Sequence, residues 1–138
     1  MKNTTDLIAR IFLSTIFFYE AADTFWYFND AKDILVEYGL DFYPKVILIF
    51  GIGMLVLGAL LVLIGYLSTF GAFLLLLYII PYTFIIYSFW NDPPATQRMH
   101  ALMFMKNIAI IGGLLLLMVN GAGKYSIKRL IYVMKLPK

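Results

Sequence analysis

The sequence predicts an all-α membrane protein: a bundle of four transmembrane helices with both termini on the cytoplasmic side. Three observations predict it. Of the 138 residues, 62% are hydrophobic and 14% charged, against roughly a quarter charged in ordinary soluble domains. Four continuous apolar stretches, at residues 7–28, 46–64, 70–89 and 101–119, each approach the ~20 residues that cross hydrocarbon as a helix. Basic residues gather at the two ends of the chain, and acids gather between the first two stretches.

The runs are continuous rather than alternating, so they read as helices and not as barrel strands. The first carries Glu20 and Asp23 and has no A-x-A cleavage pattern, so it is a retained helix rather than a signal peptide. After it comes "NDAKDILVEYGLDFYPK", in which residues 33–38 suit a short amphipathic helix on the membrane surface. "GYLST" joins the second and third spans as a tight turn and makes them antiparallel neighbours. Pro81 lies inside the third span, where it should kink the helix and free a carbonyl. Pro93-Pro94 separates the third and fourth spans. The tail over residues 121–138 is basic and amphipathic and belongs in the interface. The whole chain, 1–138, reads as one domain.

Threading follows from Lys and Arg. Lys2, Arg10, Lys124, Lys128, Arg129, Lys135 and Lys138 flank one side, while Asp30, Asp33, Glu37 and Asp41 crowd the first loop. Both termini are therefore cytoplasmic. Phe25 to Phe28 and Tyr87, Phe89 and Trp90 form aromatic belts at the outer ends of spans one and three.

Several chemistries are excluded. With no cysteine there is no disulfide, thiolate metal site or cysteine nucleophile. His100, beside Arg98, is the only histidine and has no second metal ligand nearby, so no metal is expected and an interfacial side chain is the plain reading. There is no Ser-His-Asp set, haem-ligand pair or nucleotide motif, so no catalytic residue is assigned. "GAGK" lacks the phosphate-loop spacing and follows a helix, so it reads as a helix C-cap. The net charge of +3 has no basic face suited to nucleic acid. The lipid bilayer is the partner this composition requires.

Ionisable residues inside a span are costly and face a partner or a cavity. Lys106 lies 14 residues from the end of the fourth span at Asn120, ~21 Å along the helix, and Glu20 lies 13 from Leu7, ~20 Å, so the two share a depth. Asp23 is one turn beyond Glu20. Glu20, Asp23, Lys106 and Asn107 thus form a candidate polar cluster, with Lys106 meeting Glu20 first and Asp23 second, and Asn107 bonding to span one or three. The cluster is either an ion pair pinning helix one to helix four or a ligand or proton site. Arg10 either snorkels to headgroups or anchors the cytoplasmic end together with Asn120 and the glycine turn. Tyr78, Tyr82 and Tyr87 surround Pro81 as aromatic packing or as the lining of a quinone- or lipid-sized slot. Gly51, Gly53, Gly58, Gly65, Gly112 and Gly113 suit close helix packing.

"LIARIFLSTIFFYEA", "LVEYGL" with a following Pro, "GALLVLIGYLST" and "FMKNIAIIGGLLLLMVNGAGKYSI" resemble the DoxX-like membrane proteins. The last stretch resembles that family's F-x-K-N-x-x-x-x-G-G-x-L-L-L followed by G-x-G-x-x-S. The resemblance runs from about Leu7 to Arg129. It implies a four-helix membrane bundle in a bacterial cytoplasmic (inner) membrane. It further implies a subunit or anchor of a redox-linked assembly, with other membrane or redox subunits as partners. A quinone- or lipid-binding oxidoreductase component using Glu20, Asp23 and Lys106 is one alternative, and a small-molecule carrier another. Ala21 and Thr24 stand where that family often has G-x-x-K, and Tyr87 and Ser88 where it often has His.

The threading is checked by cysteines reacted with an impermeant maleimide in intact cells. Lys2→Cys and Lys135→Cys should be labelled only from the cytoplasm and Asp33→Cys only from outside; labelling of position 33 from the cytoplasm overturns it.

Overall fold

A computed structural model describes residues 2–123 and 125–134, without the side chains of residues 2, 3 and 128–130. Of the basic residues used for threading, Lys124, Lys135 and Lys138 lie outside the described residues, as do the side chains of Lys2, Lys128 and Arg129. Among the described residues the regular structure is all helical: α1 (Lys2–Trp26), α2 (Phe28–Glu37), α3 (Pro44–Ile64), α4 (Ser68–Ile86), α5 (Pro94–Asn120) and α6 (Ile127–Met134). A 3-10 turn at Phe89–Asn91 follows α4.

Among the described residues three helices are long and apolar enough to cross a membrane: α3, α4 with its continuation to Asn91, and α5. At 25 residues α1 matches them in length, about 37 Å, but it carries Asp6, Arg10, Glu20 and Asp23.

The boundaries have local causes. Tyr43 takes a left-handed conformation (φ 54°) and Pro44 then opens α3, where its missing N–H costs nothing. Gly65 closes α3 at φ 74°, a conformation glycine adopts without steric cost. Three residues later α4 begins, so α3 and α4 form a tight antiparallel hairpin. Pro94 sits in the first turn of α5, after an extended Pro93. The fourth apolar helix therefore starts at residue 94 rather than at 101: the proline pair that blocks the preceding helix initiates the next one. The surface helix expected over 33–38 is longer, spanning Phe28–Glu37. Only Tyr27 separates it from α1, and the Tyr27 N–H still bonds the Asp23 carbonyl. Through Pro81, α4 continues as one helix, and the Leu77 carbonyl loses the partner that an N–H at position 81 would supply.

The hairpin is held by close backbone approach. A Cβ on Gly58 would lie 2.8 Å from Leu75 and 3.1 Å from the Gly71 carbonyl, and one on Gly71 would lie 2.8 Å from the Gly58 carbonyl. Around this contact Phe17, Leu55, Ala59, Val62, Leu75 and Leu114 are fully buried with Ala72. On this hairpin α1 packs along α3, and α5 packs along α4. The α1–α5 seam is thin, with Leu13 3.4 Å from where a Cβ on Gly113 would stand. A second cluster, Leu35, Leu48 and Ile86 with Tyr38, Tyr82 and Tyr87 around them, seats α2 across one end of the bundle. The first turns of α1 and the turn after α5 lie at the other end, joined by Arg10 and Tyr125.

Gly71→Ala should force α3 and α4 apart and cost about 1–3 kcal/mol, the usual range for overpacking. Gly53, where a Cβ would meet nothing within 4 Å, should accept alanine with a gain of up to about 1 kcal/mol. Thermal unfolding of both variants in one detergent checks the contrast.

Candidate functional site

The polar residues in the last two turns of α1 lie at the α2 end of the bundle. Glu20, Thr24 and Tyr27 share one helical stripe, with Asp23 one turn from Glu20 and Asp30 one turn beyond Tyr27. The Thr24 hydroxyl donates to the Glu20 carbonyl at 2.8 Å, so it stays close to the helix. From α4, Tyr78 crosses toward α1 over Gly51 of α3, where a Cβ would stand only 3.1 Å from the tyrosine ring. Its hydroxyl thereby comes into interaction with the Glu20 carboxylate. Tyr82 stacks on Tyr78 with ring centroids 5.4 Å apart, and Tyr87 meets Tyr82 edge-on at 5.7 Å.

Between these elements lies a cavity of about 300 Å³. Asp23, Thr24, Tyr27, Asp30, Tyr78 and Tyr82 supply its polar wall, and Ala31, Ile34, Leu35, Leu48 and Ile86 its apolar wall. Two carboxylates and three phenols line it, and no basic side chain does. Its potential is therefore negative, and its rings offer π faces.

The tyrosine row continues outward. Tyr87 packs edge-on against His100, centroids 5.5 Å apart. The His100 Nδ1–H donates to Asp92 at 2.6 Å, joining the two sides of the Pro-Pro turn. Burial, and after it the charges of Asp92 and Glu37 and the neighbouring Tyr87, raises the Tyr38 hydroxyl above its ordinary range. His100 is thus a bonded clasp between the Pro-Pro turn and α5.

The pair expected between Lys106 and Glu20 is not formed. Lys106 is exposed, and among the described residues no ion pair joins it to Glu20 or Asp23. The cause is the packing order. With α1 on α3 and α5 on α4, the acids meet α4 tyrosines and not α5. Phe104 and Asn107 turn toward α4, and Lys106 points to another side of α5. Asn107 Nδ2 donates to Thr83 Oγ1 at 2.9 Å, and that buried hydroxyl donates to the Ile79 carbonyl at 2.6 Å.

At the other end, Arg10 is 1% exposed and does not snorkel. Its Nη2 donates to the Tyr125 carbonyl in the turn after α5. Asn120 is not part of this anchor: it is exposed and bonds the Leu116 carbonyl of its own helix at 2.9 Å.

Sequence reasoning took Tyr27 for a belt residue and Asp30 for a loop acid. The 23-27-30 spacing was the available clue, because it stays helical straight through the α1–α2 joint. Gly51 carried no such clue, since the ring it admits comes from a different helix.

Long apolar helices with a polar pocket at one end define an integral membrane protein. The model of the SURF4 family matches residues 34–130, and the chain belongs to that family. This corrects the DoxX-like resemblance, and the redox and quinone expectations lose the family basis they had. A relative, the inner membrane protein YqjF of Escherichia coli (strain K12), is 54% identical over 35 residues, 25% of this chain and 27% of that protein. The likeness thus spans about a quarter of that relative's length. No solved structure matches the chain. The apolar helices and the likeness to YqjF support an integral inner-membrane location.

Lys106→Met should change stability by no more than about 0.5 kcal/mol, as surface substitutions do. Asn107→Leu should cost about 0.6 kcal/mol and at most about 1.7, the range of hydrogen bonds between membrane helices. Thermal unfolding in detergent separates the two.

Proposed function

We propose that this SURF4-family protein is a membrane-embedded binding protein for a small organic cation, with α1 as a fourth span and the α2 end facing outside. The charge of the cavity supports this reading. Asp23 and Asp30 line it, no base does, and Glu20 stands behind Tyr78. A volume of about 300 Å³ lies at the lower end of the usual small-molecule range, roughly 300–1,000 Å³. Tyr27, Tyr78 and Tyr82 can each contribute a cation–π contact, on the order of 0.5–2 kcal/mol depending on desolvation. The Ile34, Leu48 and Ile86 side accepts the apolar part of the same molecule. A neutral quinone would set its carbonyl oxygens against carboxylates, so the site favours an amine. The case for α1 as a span rests on its length and on the inward placement of Arg10, which removes that charge from lipid.

Isothermal titration of the full chain in nanodiscs tests the ligand class. Phenethylammonium should bind saturably and phenylacetate should not. Asp23→Asn and Asp30→Asn should each weaken binding by up to about fivefold, the worth of a partly exposed ion pair. Equal binding of the two probes, or binding untouched by the double Asn variant, overturns the proposal.

A further inference from the structure

Two opposite charges stand on the outside of the bundle. Lys106 of α5 and Asp23 of α1 are both exposed, and among the described residues neither forms an ion pair. Lys106 lies 12 residues after Pro94 and 14 before Asn120, ~18 and ~21 Å along the helix, so it sits near the middle of the span. The edge of the hydrocarbon is ~15 Å from the midplane, farther than a lysine stem reaches. Lipid offers an ammonium no partner at that depth, where ionisable groups pair with one another or face a polar cavity.

The faces that carry these charges complement each other. On α1, Phe12, Ile16, Tyr19 and Asp23 recur at helical spacing, and all are exposed. On α5, Leu102, Met105, Ala109, Gly112 and Leu116 do the same, with Lys106 beside them. Alternating steps of three and four draw one stripe along each helix. The α1 stripe is bulky. The α5 stripe is small at its centre, where a Cβ on Gly112 would meet nothing within 4 Å. On α5 as a whole, only Phe104 and Leu114 are buried.

Depth aligns the charges. Leu13 and Gly113 approach each other across the thin α1–α5 seam, and the stripes flank that seam on the outside of the molecule. Toward the α2 end, Asp23 is 10 residues beyond Leu13 and Lys106 is 7 beyond Gly113, so their depths differ by only ~5 Å. Side chains lean toward the N-terminus of their own helix. Because α1 and α5 run in opposite directions, Lys106 leans toward the α2 end and Asp23 away from it, which closes the difference. Rotation about the membrane normal preserves depth, so a second copy presents both charges at matching levels.

We propose that the α1–α5 face is a homodimer interface, in which Lys106 of each copy pairs with the partner's Asp23. A two-fold axis along the membrane normal sets α1 of one copy along α5 of its partner and forms the pair twice. Ile16 and Tyr19 then pack over the small centre of the partner's α5, where the backbones can approach closely. Asp23 stands on the rim of the cation pocket, which Asp30 and the tyrosines still line. This pairing takes α1 as a span, and it is independent of what the pocket binds.

The test is energy transfer between donor- and acceptor-labelled copies of the full chain in phosphatidylcholine vesicles, over a range of lipid dilution. Wild-type copies should associate. Lys106→Asp and Asp23→Lys should each weaken association by about tenfold or more, because each sets like charges together. An equimolar mixture of the two variants should return to within about threefold of wild type, since every contact again joins opposite charges. Gly112→Leu has open space in its own copy, so it should keep the wild-type circular dichroism and still weaken association by about tenfold. Where a charge variant loses helix, Gly112→Leu decides. Monomeric wild type would overturn the dimer. A mixture no stronger than either folded variant alone would overturn the pair between copies, and full association of Gly112→Leu would overturn the α5 face.

Discussion

The contact of Gly58 with Gly71 sets the architecture. Two helices joined by a turn as short as Gly65–Leu67 must lie side by side, and in lipid no hydrophobic drive presses them together. Only close van der Waals packing does so, and a Cβ at either glycine would meet the opposing backbone or side chains at 2.7–3.2 Å. The α3–α4 hairpin then becomes the central slab. One outer helix, α1, takes the α3 side and the other, α5, takes the α4 side. The thin α1–α5 seam is a consequence of that order and needs no separate cause.

The distribution of polar groups follows from the same slab. Acids on α1 cannot reach a lysine on α5, so they meet what α4 sends across α3. Gly51 makes the crossing, letting the Tyr78 ring lie against α3 and bring its hydroxyl to Glu20. On the far side of the slab, α5 answers α4 with Asn107, which ties onto the buried Thr83 hydroxyl. The two ends of the molecule thereby acquire opposite character. The α2 end gathers carboxylates, phenols and the His100–Asp92 clasp. The terminal end buries one guanidinium beneath a glycine turn.

The sequence by itself determined the membrane class, the number and type of apolar helices to within the question of α1, and the sites of most turns. These depend on composition, run length and proline or glycine position, all of which are local. The start of α5 was misplaced by seven residues because Pro-Pro both stops and starts helices, and hydropathy registers only the apolar part. Depth along a helix was also legible, since rise per residue is constant. Azimuth was not, nor was which outer helix takes which side of the hairpin. Glu20 and Lys106 share a depth, yet only tertiary packing decides that Glu20 meets Tyr78 of α4 while Lys106 stays on the exposed side of α5. The same holds for Arg10, whose burial depends on Gly65 and Tyr125, residues 55 and 115 positions away in the chain. Charge placement in a bundle is a property of which helices touch, and that is settled by small residues whose partners lie on other helices.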